Sequence, residues 1–205
     1  MRTISGKKLS EMSLEELWQL FPIVLRDHDL RYAEWYTEEK MRILQFIRAR
    51  SIYRISHIGS TAVPGLRAKP IVDILLETRE DVDRIRVART LETAGFLQMS
   101  LTHCPDLRIS MNKGYTPDGF AEKVYHLHLR QPGDWGELYF RDYLRAHPDA
   151  ARAYGELKDR LGEEYRHDRD GYTQAKTAFV QYYTEKARTL YNGRYRPEKG
   201  VEICG

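Results

Sequence analysis

A single carboxylate, Asp73, interrupts the apolar run "PIVDILLE" thirteen positions after the pair Gly59 and Ser60. An ionised carboxylate inside an apolar strand loses several kcal/mol of hydration unless donors or a cation compensate. Asp73 therefore calls for a partner: a structural ion pair with Lys69 or Arg67, or a cation or substrate arriving from outside the chain. Glycine lets backbone N–H groups approach a phosphate, and a serine hydroxyl adds a donor. Gly59 and Ser60 ahead of an inward acid thus suit phosphate together with a divalent cation, although a Gly-Ser pair also makes a plain turn.

His126 and His128 in "VYHLHLRQ" alternate with Tyr125, Leu127 and Leu129, so both imidazoles share one strand face that can turn toward Asp73. Imidazole with carboxylate suits Zn²⁺, Mn²⁺ or Ni²⁺ better than Mg²⁺. The same residues suit a general base, a phosphate contact when protonated, or two polar side chains on a half-exposed strand. His57 keeps the parity of Tyr53 and Ile55 and reads as a core histidine beneath the turn. Tyr172 and Lys176 lie one helical turn apart. Arg141 and Asp142 in "FRDYLR" either brace a helix or line a cleft, and Lys113 beside Gly114 is a further cleft candidate. Glu77 shares the face of Asp73 but lies roughly 13 Å along an extended strand, too far to ligate the same ion.

These residues need a scaffold. Ser13 and Glu16 form a capping box for a short helix ending before Pro22. Thr37 is placed to cap a helix from about Glu38 to Ala49, with Met41, Ile43, Leu44 and Ile47 as its apolar stripe. "YRISHIGS" reads as a strand ending at the Gly-Ser turn, and "PIVDILLE" as a strand covered on both faces. Asp81 begins a helix whose Val82, Ile85, Ala88 and Leu91 face one way and which Gly95 terminates. "LRISMNKG" and "VYHLHLRQ" are strands with a polar face, joined by the turn "GYTPDGF". From Trp135 onward the pattern is helical: one helix ending at Pro148, one from Asp149, and one through Phe179, Tyr182 and Tyr183 to about Tyr191.

The chain has 205 residues, enough for one well-buried core, and 41% hydrophobic and 31% charged residues mark a folding sequence. Its 33 basic and 30 acidic side chains nearly balance at +3, which gives no argument for DNA or membrane binding beyond a local basic pocket. The two cysteines, Cys104 and Cys204, do not make a disulfide scaffold and fit a reducing cytoplasm. No segment reads as a signal peptide or a membrane span.

Taken together, "HIGSTAVPGLRAKPIVDI", "YHLHL", "FRDYLRAHPDAARAYGELKDRL" and "GYTQAKTAFV" resemble the GrpB family, whose fold is that of the nucleotidyltransferase superfamily. The likeness runs roughly from Asp29 to Lys186. It implies an α+β fold: a nucleotidyltransferase-like mixed sheet over 29–134 and a C-terminal helical region over 135–191; the tail over 192–205, beyond the likeness, is expected to be flexible. It further implies that the turn at Gly59 and Ser60 meets nucleotide phosphates, with Lys176 brought to them from a C-terminal helix, and that the strand carboxylate Asp73 holds Mg²⁺ or Mn²⁺. Lys69 and Tyr172 are further phosphate-side candidates, and His128 or His126 are candidates for the ligand that the lone carboxylate lacks. No reaction follows from the resemblance itself. Some relatives are fused to a dephospho-CoA kinase domain, but the GxxxxGK[ST] segment of that kinase is missing from this chain. Leu75 stands where active nucleotidyltransferases place a second strand carboxylate, about 6.6 Å from the first.

Three functions are expected as alternatives. The first is nucleotidyl transfer from an NTP to a small-molecule or RNA acceptor. The second is a catalytically silent nucleotide-binding or accessory module, for example in coenzyme A synthesis. The third is a transition-metal hydrolase built on Asp73, His126 and His128.

Overall fold

The computed structural model describes residues 7–103 and 106–197, so Cys104, Cys204 and most of the expected tail lie outside the described residues. Helix α1 (Leu14–Leu20) opens with the expected box: Glu16 N–H donates to Ser13 Oγ at 3.2 Å, and Ser13 N–H to Glu16 Oε2 at 2.8 Å. Helix α2 (Arg31–Phe46) begins well ahead of the expected Glu38. The sequence signal was Asp29, whose carboxylate accepts the Arg31 N–H at 2.9 Å and the Arg31 guanidinium. Thr37 is therefore not a cap; its hydroxyl donates to the Ala33 carbonyl one turn back, inside the helix. The buried stripe is correspondingly Tyr32, Trp35, Glu39 and Ile43, with Met41 turned to solvent.

Strands β1 (Ile52–Ile58), β2 (Val72–Thr78), β3 (Leu97–Thr102), β4 (Arg108–Thr116) and β5 (Gly119–Arg130) form one sheet in the order β1-β2-β5-β4-β3. Among the described strands β2 and β5 run parallel and the other neighbouring pairs antiparallel, which makes the sheet mixed. Helix α3 (Arg84–Thr93) follows β2 and leads into β3; its cap is Asp83, not Asp81, because the Asp83 carboxylate accepts the N–H groups of Ile85 and Arg86. Gly95 ends this helix region with φ +92°, a conformation glycine adopts without strain. Strand β3 had no expectation. Its residues are mostly exposed and its register shifts between Gln98 and Ser100, so no apolar alternation betrays this edge strand.

Parity divides the sheet. Ile74 and Leu76 of β2, Leu127 and Leu129 of β5, and Ile109 and Met111 of β4 are buried on one face under α2 and α3. The opposite face carries Asp73, Leu75 and Glu77 beside His126, His128 and Arg130. Four helices follow: α4 (Gly136–Ala146), α5 (Pro148–Glu164), α6 (Arg169–Ala175) and α7 (Thr177–Tyr191). Leu138 of α4 closes over Leu75 and Ile58, while α5 and α7 pack together through Tyr154, Phe179 and Tyr183. The start of the tail is anchored, not loose: Tyr195 packs edge-on against Tyr139, and its hydroxyl donates to Asp142.

Glu77 is fully buried and serves the scaffold. Its carboxylate accepts Arg54 Nη2 at 2.8 Å and the Gly133 N–H at 3.0 Å, tying β1 and β2 to the loop before α4. Removing one partner of a buried pair strands the other charge. Glu77→Ala is expected to cost about 3–5 kcal/mol, read as a lowered denaturation midpoint in urea.

Candidate functional site

Register brings Asp73 and the histidines together. Asp73 pairs across β2 and β5 with His126, and Leu75 with His128, so the three polar side chains emerge on one face. His126 Nδ1 lies 3.3 Å and His128 Nε2 3.6 Å from Asp73 Oδ1. Burial alone would push the Asp73 carboxyl up; the two imidazoles overcome it and hold the group well below the usual carboxylate range. The expected partner thus comes from within the chain. Neither Lys69 nor Arg67 pairs with Asp73, and Arg67 instead bridges Asp27 and Asp159 at the surface.

The proton positions follow from the ends of the chain of contacts. Arg169 Nη2, which can only donate, donates to the Tyr115 hydroxyl at 3.0 Å. At the other end the ionised Asp73 can only accept, which places the proton of a neutral His126 on Nδ1 and leaves Nε2 to accept from the Tyr115 hydroxyl 2.7 Å away. Burial lowers the His126 pKa against the pull of Asp73, consistent with this neutral tautomer. Tyr115→Phe removes the donor to Nε2 and is expected to mix the two tautomers. The ring ¹⁵N shifts of His126 report it: one Nδ1–H form in the parent, an averaged pair in the variant.

Gly59 is required where β1 turns. Its φ is +72°, and a Cβ there would overlap Asp73 Oδ2 and sit 2.9 Å from its Cγ. Beyond the turn lies a cavity of about 200 Å³. Gly59, Ser60, Asp73 and His126 form its sheet side; Lys69, Tyr154, Lys158, Tyr172 and Lys176 close it. Lys158 Nζ donates to Ser60 Oγ at 3.1 Å and to the Arg67 carbonyl, and the Tyr154 hydroxyl is also hydrogen-bonded to Ser60. Lys176 lies at the junction of α6 and α7 with its Nζ 3.9 Å above the Tyr172 ring, and Lys69 Nζ approaches the same ring at 5.4 Å. Among the described residues these last two ammonium groups make no hydrogen bond.

The lysines crowd one another. Burial, with repulsion from Arg169 and Lys176, pushes Lys69 down to about 7, and burial with Lys176 pushes Lys158 down to about 7. Burial lowers Lys176 to about 8 against the attraction of Asp73. Larger hollows exist, such as one of about 630 Å³ between residues 63–67 and α5, but the convergence of perturbed ionisable groups is here.

Of the sequence candidates, Gly59, Ser60, Lys69, Asp73, His126, Tyr172 and Lys176 line this one cavity, and His128 stands beside it. The others serve as supports. His57 is buried, stacks on Tyr36, and donates from Nε2 to Thr61 Oγ1, whose own proton goes to the Ile71 carbonyl; burial lowers its pKa to about 4. Arg141 donates to the His57 carbonyl at 2.9 Å and to Asp142 at 2.7 Å, fastening α4 to the end of β1. Lys113 pairs with Glu39 on the opposite face of the sheet and does not approach the cleft. Tyr154, Lys158, Tyr115 and Arg169 escaped the sequence reading. A lysine continuing the buried stripe Ala150, Tyr154 and Leu161 of α5 was the available signal for Lys158.

The GrpB protein family profile matches residues 22–186. The chain belongs to the GrpB family. It is 32% identical over 163 residues to the Glutamate-rich protein GrpB of Alkalihalophilus pseudofirmus, covering 77% of this chain and 91% of that protein. It is 30% identical to the UPF0157 protein YqkA of Bacillus subtilis, covering 96% of this chain and 57% of YqkA. The UPF0157 protein PA4798 of Pseudomonas aeruginosa is 42% identical over 127 residues, covering 62% of this chain and 52% of that protein. The chain thus spans about half the length of these last two relatives. The crystal structure of the conserved protein GrpB from Enterococcus faecalis superimposes with a TM-score of 0.71 at 28% identity, covering 82% of this chain and 99% of that one. That GrpB-family fold is the α+β mixed sheet described above, and no helix among the described residues is long and apolar enough to cross a membrane.

Proposed function

We propose that this GrpB-family chain binds the phosphate of a nucleotide or another phosphate compound in the cavity between the Gly59 turn, Asp73 and helices α5 to α7. One observation carries this: Lys69 and Lys176 present to one partly open cavity ammonium groups that donate to no protein acceptor among the described residues, beside a third lysine, Lys158, that reaches Ser60. Partly buried cations with no protein acceptor are poorly compensated, and a phosphate supplies oxygens for them.

The divalent ion implied by a nucleotidyltransferase-like layout fits these residues poorly. Asp73 is the lone carboxylate; its Oδ1 faces both imidazoles and its Oδ2 abuts Gly59. His126 Nε2 is occupied by Tyr115, and Leu75 is buried under Leu138 where a second acid would stand. Three lysines around this donor set repel a resident cation. Among the described residues no group of three or more His, Cys, Asp or Glu side chains is arranged to hold a metal. The geometry therefore favours binding without two-metal turnover. Nucleotidyl transfer is the second reading, because Asp73 and His126 border the cavity where a phosphate would lie.

The test is ATP binding by calorimetry on chelator-treated protein, followed by assay of pyrophosphate release with Mg²⁺ or Mn²⁺ and candidate acceptors. Binding that needs no divalent ion, with no pyrophosphate formed, is expected. Binding only with the ion, accompanied by pyrophosphate release, would establish transfer instead.

A further inference from the structure

Resting on the phosphate-binding reading above, we propose that the cavity recognises only the phosphate end of its ligand. Ser60, Lys69, Lys158 and Lys176 would enclose a dianionic phosphate or polyphosphate group, with the rest of the molecule outside and unread.

Size is the first ground. A cavity of about 200 Å³ falls below the roughly 300–1,000 Å³ that encloses a drug-sized ligand, so a nucleoside with its phosphates does not fit within it. Lining chemistry is the second. Each ammonium offers three N–H donors and no acceptor, and these match tetrahedral oxyanions and not the mixed donor and acceptor edge of a base. The remaining polar groups are committed: Asp73 to the imidazoles, His126 Nε2 to Tyr115, and the Tyr154 hydroxyl to Ser60. The aromatic faces of Tyr172 and Tyr154 are covered by Lys176 and Lys158, which removes them as stacking platforms for a base.

A consequence distinguishes this cavity from a surface patch of lysines. The groups facing Lys69 and Lys176 are Arg169 of α6, Asp73 of β2 and each other; Lys158 also feels Asp159 and Arg67. That surplus of positive charge, with burial, leaves these lysines partly deprotonated near pH 7.5, and a dianion restores their protons. Binding should take up on the order of one proton.

The experiment is calorimetry on the full chain with three sets of probes. ATP, GTP, CTP and UTP are expected to bind within about threefold of one another, and inorganic tripolyphosphate to compete with ATP within the same factor. Adenosine should not compete. Sulfate, which exchanges no proton itself near pH 7.5, is titrated in two buffers of different ionisation enthalpy. Proton uptake is expected, reduced by Lys69→Met. A spread above tenfold among the four nucleotides, or failure of tripolyphosphate to compete with bound ATP, overturns the inference while leaving phosphate binding standing. It would direct attention to the adjoining cavity of about 390 Å³ that shares Lys69 and includes Tyr32, Trp35 and Phe120. Sulfate binding without proton uptake overturns it as well. If neither ATP nor tripolyphosphate binds, the phosphate reading falls too.

Discussion

Replacing both Lys69 and Lys176 by methionine is expected to abolish phosphate binding while making the free protein more stable. Each ammonium in contact with a phosphate oxygen contributes about 1.5–3 kcal/mol as a charge-assisted hydrogen bond. Losing two corresponds to a hundredfold or greater loss of affinity. Stability moves the other way, because both groups are half-buried cations with no acceptor among the described residues. Exchanging poorly compensated buried charge for an apolar side chain of similar volume stabilises by ~1–4 kcal/mol. A melting curve should show a gain of about 2–4 °C for each kcal/mol.

The pH dependence gives a second handle on the same pair. Burial and repulsion hold Lys69 near 7 in the folded state, against an ordinary value of 10.5 in the unfolded chain. Between those values the unfolded chain binds more protons, so stability rises with pH across that window and the full penalty is present below pH 7. The melting-temperature gap between the double variant and the parent should therefore be widest near pH 6.5 and narrow toward pH 9. A gap of constant size, or a variant less stable than the parent, would show that these lysines are not held as strained cations.

Gly59→Ala is expected to produce the largest loss of stability at the site, without touching any charge. The backbone at φ +72° strains any L side chain, and the new methyl overlaps Asp73 Oδ2. Strain and overlap together are expected to cost roughly 2–4 kcal/mol and to push Asp73 away from His126. The two causes separate in a double-mutant cycle. Asp73→Gly removes the overlapped carboxylate but not the backbone strain, so the combined variant should recover part of the loss and show coupling above about 1 kcal/mol. Additive effects would mean that the turn does not press on the acid.

Much of this site is legible from residue order because sheets impose parity. His126 and His128 had to share a face, and that face had to be the one carrying Asp73 once β2 and β5 paired in register. The glycine at the turn and the leucine in place of a second acid are equally local facts. Contacts set by the packing of distant helices were not legible. Lys158 reaches Ser60 from 98 positions away, and Arg169 reaches Tyr115 from 54, so neither leaves a trace in local spacing. The contact of both imidazoles with Asp73 depends on the pairing of β2 with β5, a strand more than fifty residues later, which parity allows but does not by itself fix. At the fold level, the capping box of α1 and the strands with buried faces were readable. Thr37 reads as the cap of α2, yet the helix begins at Arg31 after Leu30, because burial of Tyr32 and Trp35 outweighs the local signal at Thr37.

Whether lysines or Asp73 hold the ligand is settled most directly by one substitution. Asn at position 73 keeps an amide oxygen for the two imidazoles and removes the negative charge. Calorimetric titration of folded Asp73→Asn with tripolyphosphate, in the absence of divalent ions, should give an affinity equal to or tighter than that of the parent. Loss of binding in the folded variant would contradict a lysine-held anion and make the carboxylate itself, through a cation, the ligand's anchor.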